Sequence, residues 1–156
     1  MIGQAETLVR LYEASGIKCA TAESCTGGMV GSMITRVSGS SAVYLGGVVS
    51  YSNSVKEGVL KVSKTTLERY GAVSEECAVE MAKGVKALTG ADVAVSVTGI
   101  AGPNGGSADK PVGLVCFAVS TCRGTRSEKV IFAGDREAVR NQASIHALGM
   151  LTVAAV

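Results

Sequence analysis

Apolar and polar positions alternate along this chain in two rhythms, and each rhythm predicts a type of secondary structure. Leu8, Leu11 and Tyr12 lie at helical spacing, and Gly16 then ends the run. The segment 92–97 has no polar face, which is typical of a central strand. The pattern predicts helices over 2–15, 28–37, 54–60, 63–70, 74–89 and 135–154, and strands over 17–23, 46–51, 92–97, 112–121 and 126–133.

The order of these elements indicates the fold class. Helices alternate with apolar strands early in the chain, and a β-hairpin with its turn at 122–125 comes late. This order predicts an α/β fold, a three-layer α/β/α sandwich with a mixed, mostly parallel sheet. A chain of 156 residues is long enough for one core, so we assign 1–156 to a single domain.

Composition narrows the class of protein. Hydrophobic residues make up 47% of the chain and mean hydropathy is +0.33, as in a folded globular protein. No apolar run is long enough to cross a bilayer, and the N-terminal segment lacks the pattern of a signal peptide. We therefore expect a cytoplasmic protein without a membrane partner. With 15 basic and 13 acidic residues and no Trp, we also expect no nucleic-acid partner.

The counts of cysteine and histidine limit the available chemistry. Five cysteines without a C-x-x-C pair are typical of reduced thiols in a cytoplasmic protein. The single histidine, His146, excludes a metal site built from several histidines, and we expect it to have a packing role. We predict neither a metal nor a cofactor.

The most informative motif is the run T-A-E-S-C-T-G-G at 21–28. A predicted strand, a glycine turn and a predicted helix start meet there, which directs backbone N–H groups and a positive helix end at one spot. Two nucleophiles, Ser24 and Cys25, lie beside that spot. The motif therefore predicts a site for an anion or an oxyanion, unless it is an ordinary strand-to-helix connection with a Ser or Thr cap.

A second motif, Y-S-N-S-V-K at 51–56, follows the second predicted strand. Tyr51 and Lys56 can both face the carboxyl edge of the sheet, where Ser24 also lies and where open α/β sheets bind ligands. A lysine can activate a serine only when its amine is neutral, and an ordinary lysine is neutral to only about 0.04% at pH 7. Lys56 must therefore be buried or otherwise perturbed, unless it is a solvated helix lysine and Tyr51 a strand-end anchor.

Two further segments carry candidate binding residues. The loop T-G-I-A-G-P-N-G-G at 98–106 has four glycines in nine residues but matches neither a P-loop nor a Rossmann fingerprint. After the predicted N-cap Asp135, Arg136 and Arg140 share one helix face and could clamp a phosphate or a carboxylate. An ordinary charged helix start is the alternative.

Five motifs in this order resemble the CinA C-terminal domain family, also known as nicotinamide mononucleotide deamidase or nicotinamide-nucleotide amidohydrolase. They are the three runs at 21–28, 51–56 and 98–106, K-P-V-G at 110–113 and G-D-R at 134–136. The resemblance covers about residue 5 to 150 and implies a three-layer α/β/α fold with a mixed sheet.

The resemblance also implies a reaction and the residues that carry it. The reaction is hydrolysis of the carboxamide of nicotinamide mononucleotide to nicotinate mononucleotide and ammonia, a step of pyridine nucleotide recycling. By resemblance, Ser24 is the nucleophile, Lys56 the general base and Tyr51 an assisting residue, with backbone N–H groups at 26–28 as oxyanion donors. The expected substrate-binding residues are Glu23, Thr26, Gly27, Gly28, Thr98, Gly99, Gly102, Arg136 and Arg140.

Two alternatives to a Ser/Lys amidohydrolase stay open. A non-catalytic nucleotide-binding module could use the same glycine turns, with a charged Lys56 as phosphate ligand. A Cys25 thiol hydrolase is disfavoured because apolar surroundings raise the pKa of a thiol and no histidine is near in the sequence. A homo-oligomer is also expected from the apolar composition.

Overall fold

A computed structural model describes residues 2–155, apart from the side chain of Ile2. Within this range the chain forms six α-helices, five β-strands and a 3-10 turn at Ser40–Ala42. The helices are α1 (Ile2–Ser15), α2 (Met29–Thr35), α3 (Asn53–Gly58), α4 (Lys64–Tyr70), α5 (Glu75–Thr89) and α6 (Arg136–Ala154). The strands are β1 (Cys19–Glu23), β2 (Tyr44–Val49), β3 (Val93–Gly99), β4 (Leu114–Thr121) and β5 (Gly124–Ile131).

The strands form one mixed sheet in the order β2-β1-β3-β4-β5. The strands β2, β1 and β3 are parallel, and β4 runs against both of its neighbours, β3 and β5. The register pairs Glu23 of β1 with Val49 of β2 and with Val97 of β3, so these three strands end at the same edge. The segments that follow them, which carry three of the sequence motifs, are thereby brought together.

Helices cover both faces of the sheet, which confirms the predicted three-layer α/β/α arrangement. On β3, Val93, Val95 and Val97 belong to the core shared with α1, α2 and α6. Ala94 points to the other face and packs with residues of α5, where small side chains let the helix lie close to the sheet. No helix within residues 2–155 is long and apolar enough to span a membrane.

Element boundaries differ from the predicted ones by up to two residues. The strand predicted over 46–51 is Tyr44–Val49, so Tyr51 lies beyond its end. Gly46 and Gly47 both lie inside this strand. There is no room for a side chain at Gly47, because a Cβ there would lie 2.3 Å from Thr21 Oγ1. The hairpin turn is shorter than predicted, since Thr121 pairs directly with Gly124.

Gly84 of α5 determines how closely the segment after α3 approaches the helix. A Cβ at this position would lie 2.0 Å from the carbonyl oxygen of Leu60. Leu60 and Val62 are both buried against α5. The absence of a side chain at Gly84 therefore allows the segment that follows α3 to pack closely against α5.

Candidate active site

Ser24 and Lys56 meet at the carboxyl edge of the sheet. Ser24 directly follows β1, and Lys56 lies in α3 after β2. The Nζ of Lys56 donates a hydrogen bond of 2.9 Å to Ser24 Oγ. Only 1% of Lys56 and 8% of Ser24 is exposed, so the pair is largely removed from bulk water. The structure thus brings together the two residues that the spacing predicted to converge.

The environment of Lys56 favours its neutral amine. Burial lowers the pKa of Lys56 from its ordinary value, and the nearby Cys77 and Cys25 oppose this effect. Burial raises the pKa of each of these thiols to about 11, so both are uncharged near neutral pH. Within residues 2–155 no carboxylate lies within salt-bridge distance of Lys56. A buried lysine without a counter-ion has the character expected of a general base.

Main-chain groups fix the position of the lysine. Its Nζ also donates to the carbonyl oxygens of Ser50, at 2.7 Å, and Tyr51, at 3.2 Å. The amide of Ser50 donates to the carbonyl of Glu23, which ties the end of β2 to the end of β1. Ser52 caps α3 by accepting from the amide of Val55. Strand pairing and a helix cap therefore aim Lys56 at Ser24.

Tyr51 lines the site without touching the lysine amine through its side chain. Its side chain is well exposed, since 62% of the residue is accessible. Its hydroxyl accepts a hydrogen bond of 3.2 Å from Nη2 of Arg136. Tyr51 orients Lys56 through its carbonyl oxygen, not through its phenol.

Glu23 occupies the helix end that the sequence suggested as an anion site. Its carboxylate accepts from the Thr26 hydroxyl at 2.6 Å and from the amides of Gly28, Val30 and Gly31 at 2.9–3.2 Å. Only 2% of Glu23 is exposed, so in this structure its carboxylate caps the start of α2. The start of α2 already holds a negative charge from the protein itself.

Two of the amides expected as oxyanion donors have partners inside the protein. The amide of Gly28 donates to Glu23, and the amide of Gly27 donates to the carbonyl of Ser24 at 3.0 Å. Within the described chain, the amides of Cys25 and Thr26 donate no hydrogen bond to another residue. Thr26 is fully buried, so of these two amides only that of Cys25 belongs to a residue that lines the site cavity.

The glycine loop after β3 forms a wall of the site. Ser24, Tyr51 and Lys56 line a cavity of about 290 Å³ together with Thr98, Gly99, Ile100, Ala101, Gly102, Asn104, Arg136 and other residues. The Thr98 hydroxyl donates to the carbonyl of Ala72 at 2.9 Å. A Cβ at Gly99 would lie 2.7 Å from Val115 Cγ2, and one at Gly102 would lie 2.4 Å from Val112 Cγ1. Both glycines thus also serve close packing.

The two arginines of α6 have different partners. Arg136 donates to the carbonyl of Gly102 at 2.8 Å and to the Tyr51 hydroxyl, at the mouth of the cavity. Arg140 donates to the carbonyls of Cys25, at 3.0 Å, and Thr26, at 3.2 Å. Both arginines line an adjoining cavity of about 800 Å³, which shares Ala101 and Arg136 with the first.

One contact of the site could not be predicted from the sequence. The carbonyl oxygen of Ser50 accepts a hydrogen bond from Lys56, and because every residue type has a carbonyl group, only the fold shows that Ser50 positions the lysine. Asn53 and Asn104 line the cavity from within the motifs already noted. His146 Nε2 lies 2.9 Å from Glu128 Oε1. The centre of its ring lies 4.5 Å from that of the Phe117 ring, at a tilt of 45°, in agreement with the expected packing role.

Known proteins share this sequence and fold. Residues 3–154 match the model of the CinA C-terminal domain. The nicotinamide-nucleotide amidohydrolase PncC of Enterobacter agglomerans is 54% identical over 137 residues, which cover 87% of this chain and 84% of that protein. A CinA-like protein of Thermotoga maritima is 47% identical over 143 residues, 92% of this chain but 35% of that protein.

A solved structure extends the likeness to the fold. The competence/damage inducible protein CihA of Agrobacterium tumefaciens superposes with a TM-score of 0.95 at 40% identity, covering 99% of this chain and 94% of that one. The chain spans 35% of the length of the longer curated relatives that it matches. The chain belongs to the CinA family, and its residues 3–154 are a CinA C-terminal domain.

Proposed function

We propose that this chain hydrolyses the carboxamide of nicotinamide mononucleotide to nicotinate mononucleotide and ammonia, with Ser24 as nucleophile and Lys56 as general base. The observation that carries the proposal is the 2.9 Å hydrogen bond between a buried Lys56, without a counter-ion in the described chain, and Ser24. The name of the PncC relative, at 54% identity, supports the choice of substrate.

The acylation step follows from the Ser24–Lys56 contact. When Lys56 is neutral, its Nζ takes the proton of Ser24 Oγ as the oxygen attacks the carboxamide carbon. The negative oxygen of the tetrahedral intermediate is stabilised by the amide of Cys25, which lines the cavity. Lys56 then returns the proton to the amide nitrogen, the C–N bond breaks, and ammonia leaves an ester on Ser24.

Deacylation uses the same groups with water as the nucleophile. Lys56 takes a proton from water, the hydroxide oxygen bonds to the ester carbon, and the C–O bond to Ser24 breaks. Lys56 returns the proton to Ser24 Oγ, and the product is the carboxylic acid, which ionises to the carboxylate in water. The balance is one amide and one water in, one carboxylic acid and one ammonia out.

The two cavities suggest how the substrate lies. The 290 Å³ cavity at Ser24 takes the pyridine ring and its carboxamide, between Tyr51 and the loop with Thr98, Gly99 and Gly102. Arg136 stands at the boundary with the larger cavity, where a 5′-phosphate would meet its guanidinium. We propose Arg136 as the phosphate ligand.

The alternative of a non-catalytic nucleotide-binding module fits the contacts less well. All three N–H donors of a charged Lys56 have internal acceptors, which leaves none for a phosphate. The thiol alternative also loses support, because burial raises the pKa of Cys25 to about 11.

Ammonia release from nicotinamide mononucleotide, with EDTA present, tests the proposal. We expect release by the native chain and none by Ser24→Ala, whose circular dichroism spectrum should match that of the native chain. Nucleotide binding without ammonia release by the native chain would contradict the proposal and favour the binding module.

A further inference from the structure

Arg140 grips the turn that follows the nucleophile. Its side chain reaches from the second turn of α6, and its Nε and Nη2 donate to the carbonyls of Cys25 and Thr26. Within residues 2–155 Arg140 has no carboxylate partner, so its charged guanidinium is bound by these two carbonyl oxygens. This contact uses the Nε and Nη2 groups of the guanidinium, so the turn holds the Arg140 side chain in place.

The hydrogen bonds within the turn and from Arg140 to it set the directions of the Cys25 and Thr26 amides. In a trans peptide the C=O and N–H groups point in opposite directions, and the peptides of this turn are trans. Because the Cys25 carbonyl faces Arg140, the Thr26 N–H points away from it. Because the Ser24 carbonyl faces the Gly27 amide, the Cys25 N–H points out of the turn. These are the two amides without an acceptor in another residue of the described chain.

The neighbours of the turn are shaped for this contact. Gly27 has a φ of +58°, and a Cβ there would lie 3.3 Å from Nη2 of Arg140. On the other side, Glu23 holds the Thr26 hydroxyl and the Gly28 amide. An anion and a cation thus fix the turn from two sides, and hydrogen bonds to a charged group polarise the peptides that accept them.

We propose that Arg140 is a positioning residue for the hydrolysis. It holds the turn so that the amide of Cys25, a residue that lines the cavity, faces the oxygen that becomes negative when Ser24 attacks. This inference rests on the proposed function, because an oxyanion forms only in acyl transfer. This role differs from that of phosphate ligand, which the sequence suggested for Arg140 and which we propose for Arg136.

Arg136 is a matched control, because it is the same residue type one turn earlier on the same helix. Steady-state kinetics of Arg140→Met and Arg136→Met with nicotinamide mononucleotide separate the two roles. We expect Arg140→Met to lower kcat about 10- to 100-fold with KM within about threefold of native. We expect Arg136→Met mainly to raise KM.

Chemical rescue adds a readout that a purely structural role would not move. In Arg140→Ala, millimolar guanidinium ion should restore part of kcat, and it should leave Ser24→Ala inactive. If Arg140→Met or Arg140→Ala does not fold, Arg140→Lys carries the test, with an intermediate kcat expected because one donor replaces two.

The outcomes separate the two proposals. An active native chain whose kcat survives Arg140→Met, or whose KM alone changes, would overturn the role of Arg140 and leave the proposed function standing. A native chain without ammonia release would overturn the proposed function and this inference with it.

Discussion

Replacing Lys56 with methionine removes the amine at the centre of the site and keeps an unbranched side chain of similar length. The change deletes the donor to Ser24 Oγ and to the carbonyls of Ser50 and Tyr51. Methionine fits a position of which 1% is exposed, so we expect the fold to persist.

The structure sets the size of the two effects. Loss of a positioned general base should lower kcat/KM by about 10²- to 10⁴-fold. Two main-chain carbonyls lose a buried donor, which costs about 1–3 kcal/mol for each group left unsatisfied. Removal of a buried amine without a counter-ion offsets part of this cost. The loss of activity should therefore far exceed any loss of folded protein.

The pH dependence follows from the lowered pKa of Lys56. Only the neutral amine accepts the serine proton, so kcat/KM of the native chain should rise with pH and level off below the ordinary lysine value of 10.5. Between its folded and unfolded pKa values Lys56 binds more protons in the unfolded chain, so this residue makes the unfolding free energy rise with pH. The buried thiols of Cys25 and Cys77, whose pKa is raised from 9.0 to about 11, act in the opposite sense above about pH 9. The rise of kcat/KM should disappear in Lys56→Met, and the unfolding free energy of the native chain relative to that of this variant should rise with pH.

The rate of ammonia release between pH 6 and 10, a range of about four units that covers a lowered lysine pKa, measures how kcat/KM changes with pH. Urea unfolding over the same range measures how the unfolding free energy changes. Lys61→Met is the control, because Lys61 is exposed and donates to the Gly58 carbonyl at 2.9 Å, away from Ser24. A Lys56→Met variant within about tenfold of the native kcat/KM, or a native rate that does not change with pH, would refute the assignment of Lys56 as base.

Three further predictions concern residues around the Ser24–Lys56 pair. Glu23→Gln should lower the unfolding free energy by about 1–3 kcal/mol in urea titrations, because an amide cannot accept from every N–H now bonded to the carboxylate; an unchanged midpoint would contradict this. Cys25→Ala should retain most of the activity, and iodoacetamide should label Cys25 slowly at pH 7, because its thiol pKa is about 11. Rapid inactivation confined to Cys25 would argue for thiol chemistry. Gly84→Ala should destabilise the fold by about 1–3 kcal/mol or more, because its Cβ would collide with the Leu60 carbonyl, and thermal melts against Gly3→Ala, where open space surrounds the Cβ, measure this.

The layers of the fold and the Ser24–Lys56 contact were predictable from the sequence. Apolar runs with glycine stops gave the strands and helices, and the rule that parallel strands end at one edge placed Ser24 near Lys56. In the structure Glu23 pairs with Val49 and with Val97, so the three parallel strands do end at one edge.

The part of Glu23 could not be predicted, because a carboxylate beside a nucleophile suits a substrate contact and a helix cap equally well. In the structure four donors surround this carboxylate and only 2% of Glu23 is exposed, which is the arrangement of a helix cap. An anion site predicted from a helix start therefore needs a check for acidic side chains of the chain itself.

The two arginines illustrate a second limit. Helical spacing placed Arg136 and Arg140 on one face, but their partners lie in loops distant along the chain. Which guanidinium meets main-chain carbonyls depends on how α6 crosses the turn after Ser24, and periodicity within α6 does not contain that information.

The most direct test of the account is to trap the ester on Ser24. Native chain mixed with nicotinamide mononucleotide is quenched in acid within milliseconds, digested and analysed by mass spectrometry. The account predicts the mass of the acyl mononucleotide on the peptide that contains Ser24, absent from Ser24→Ala. Ammonia release without an adduct on this peptide, or an adduct on Cys25, would contradict it.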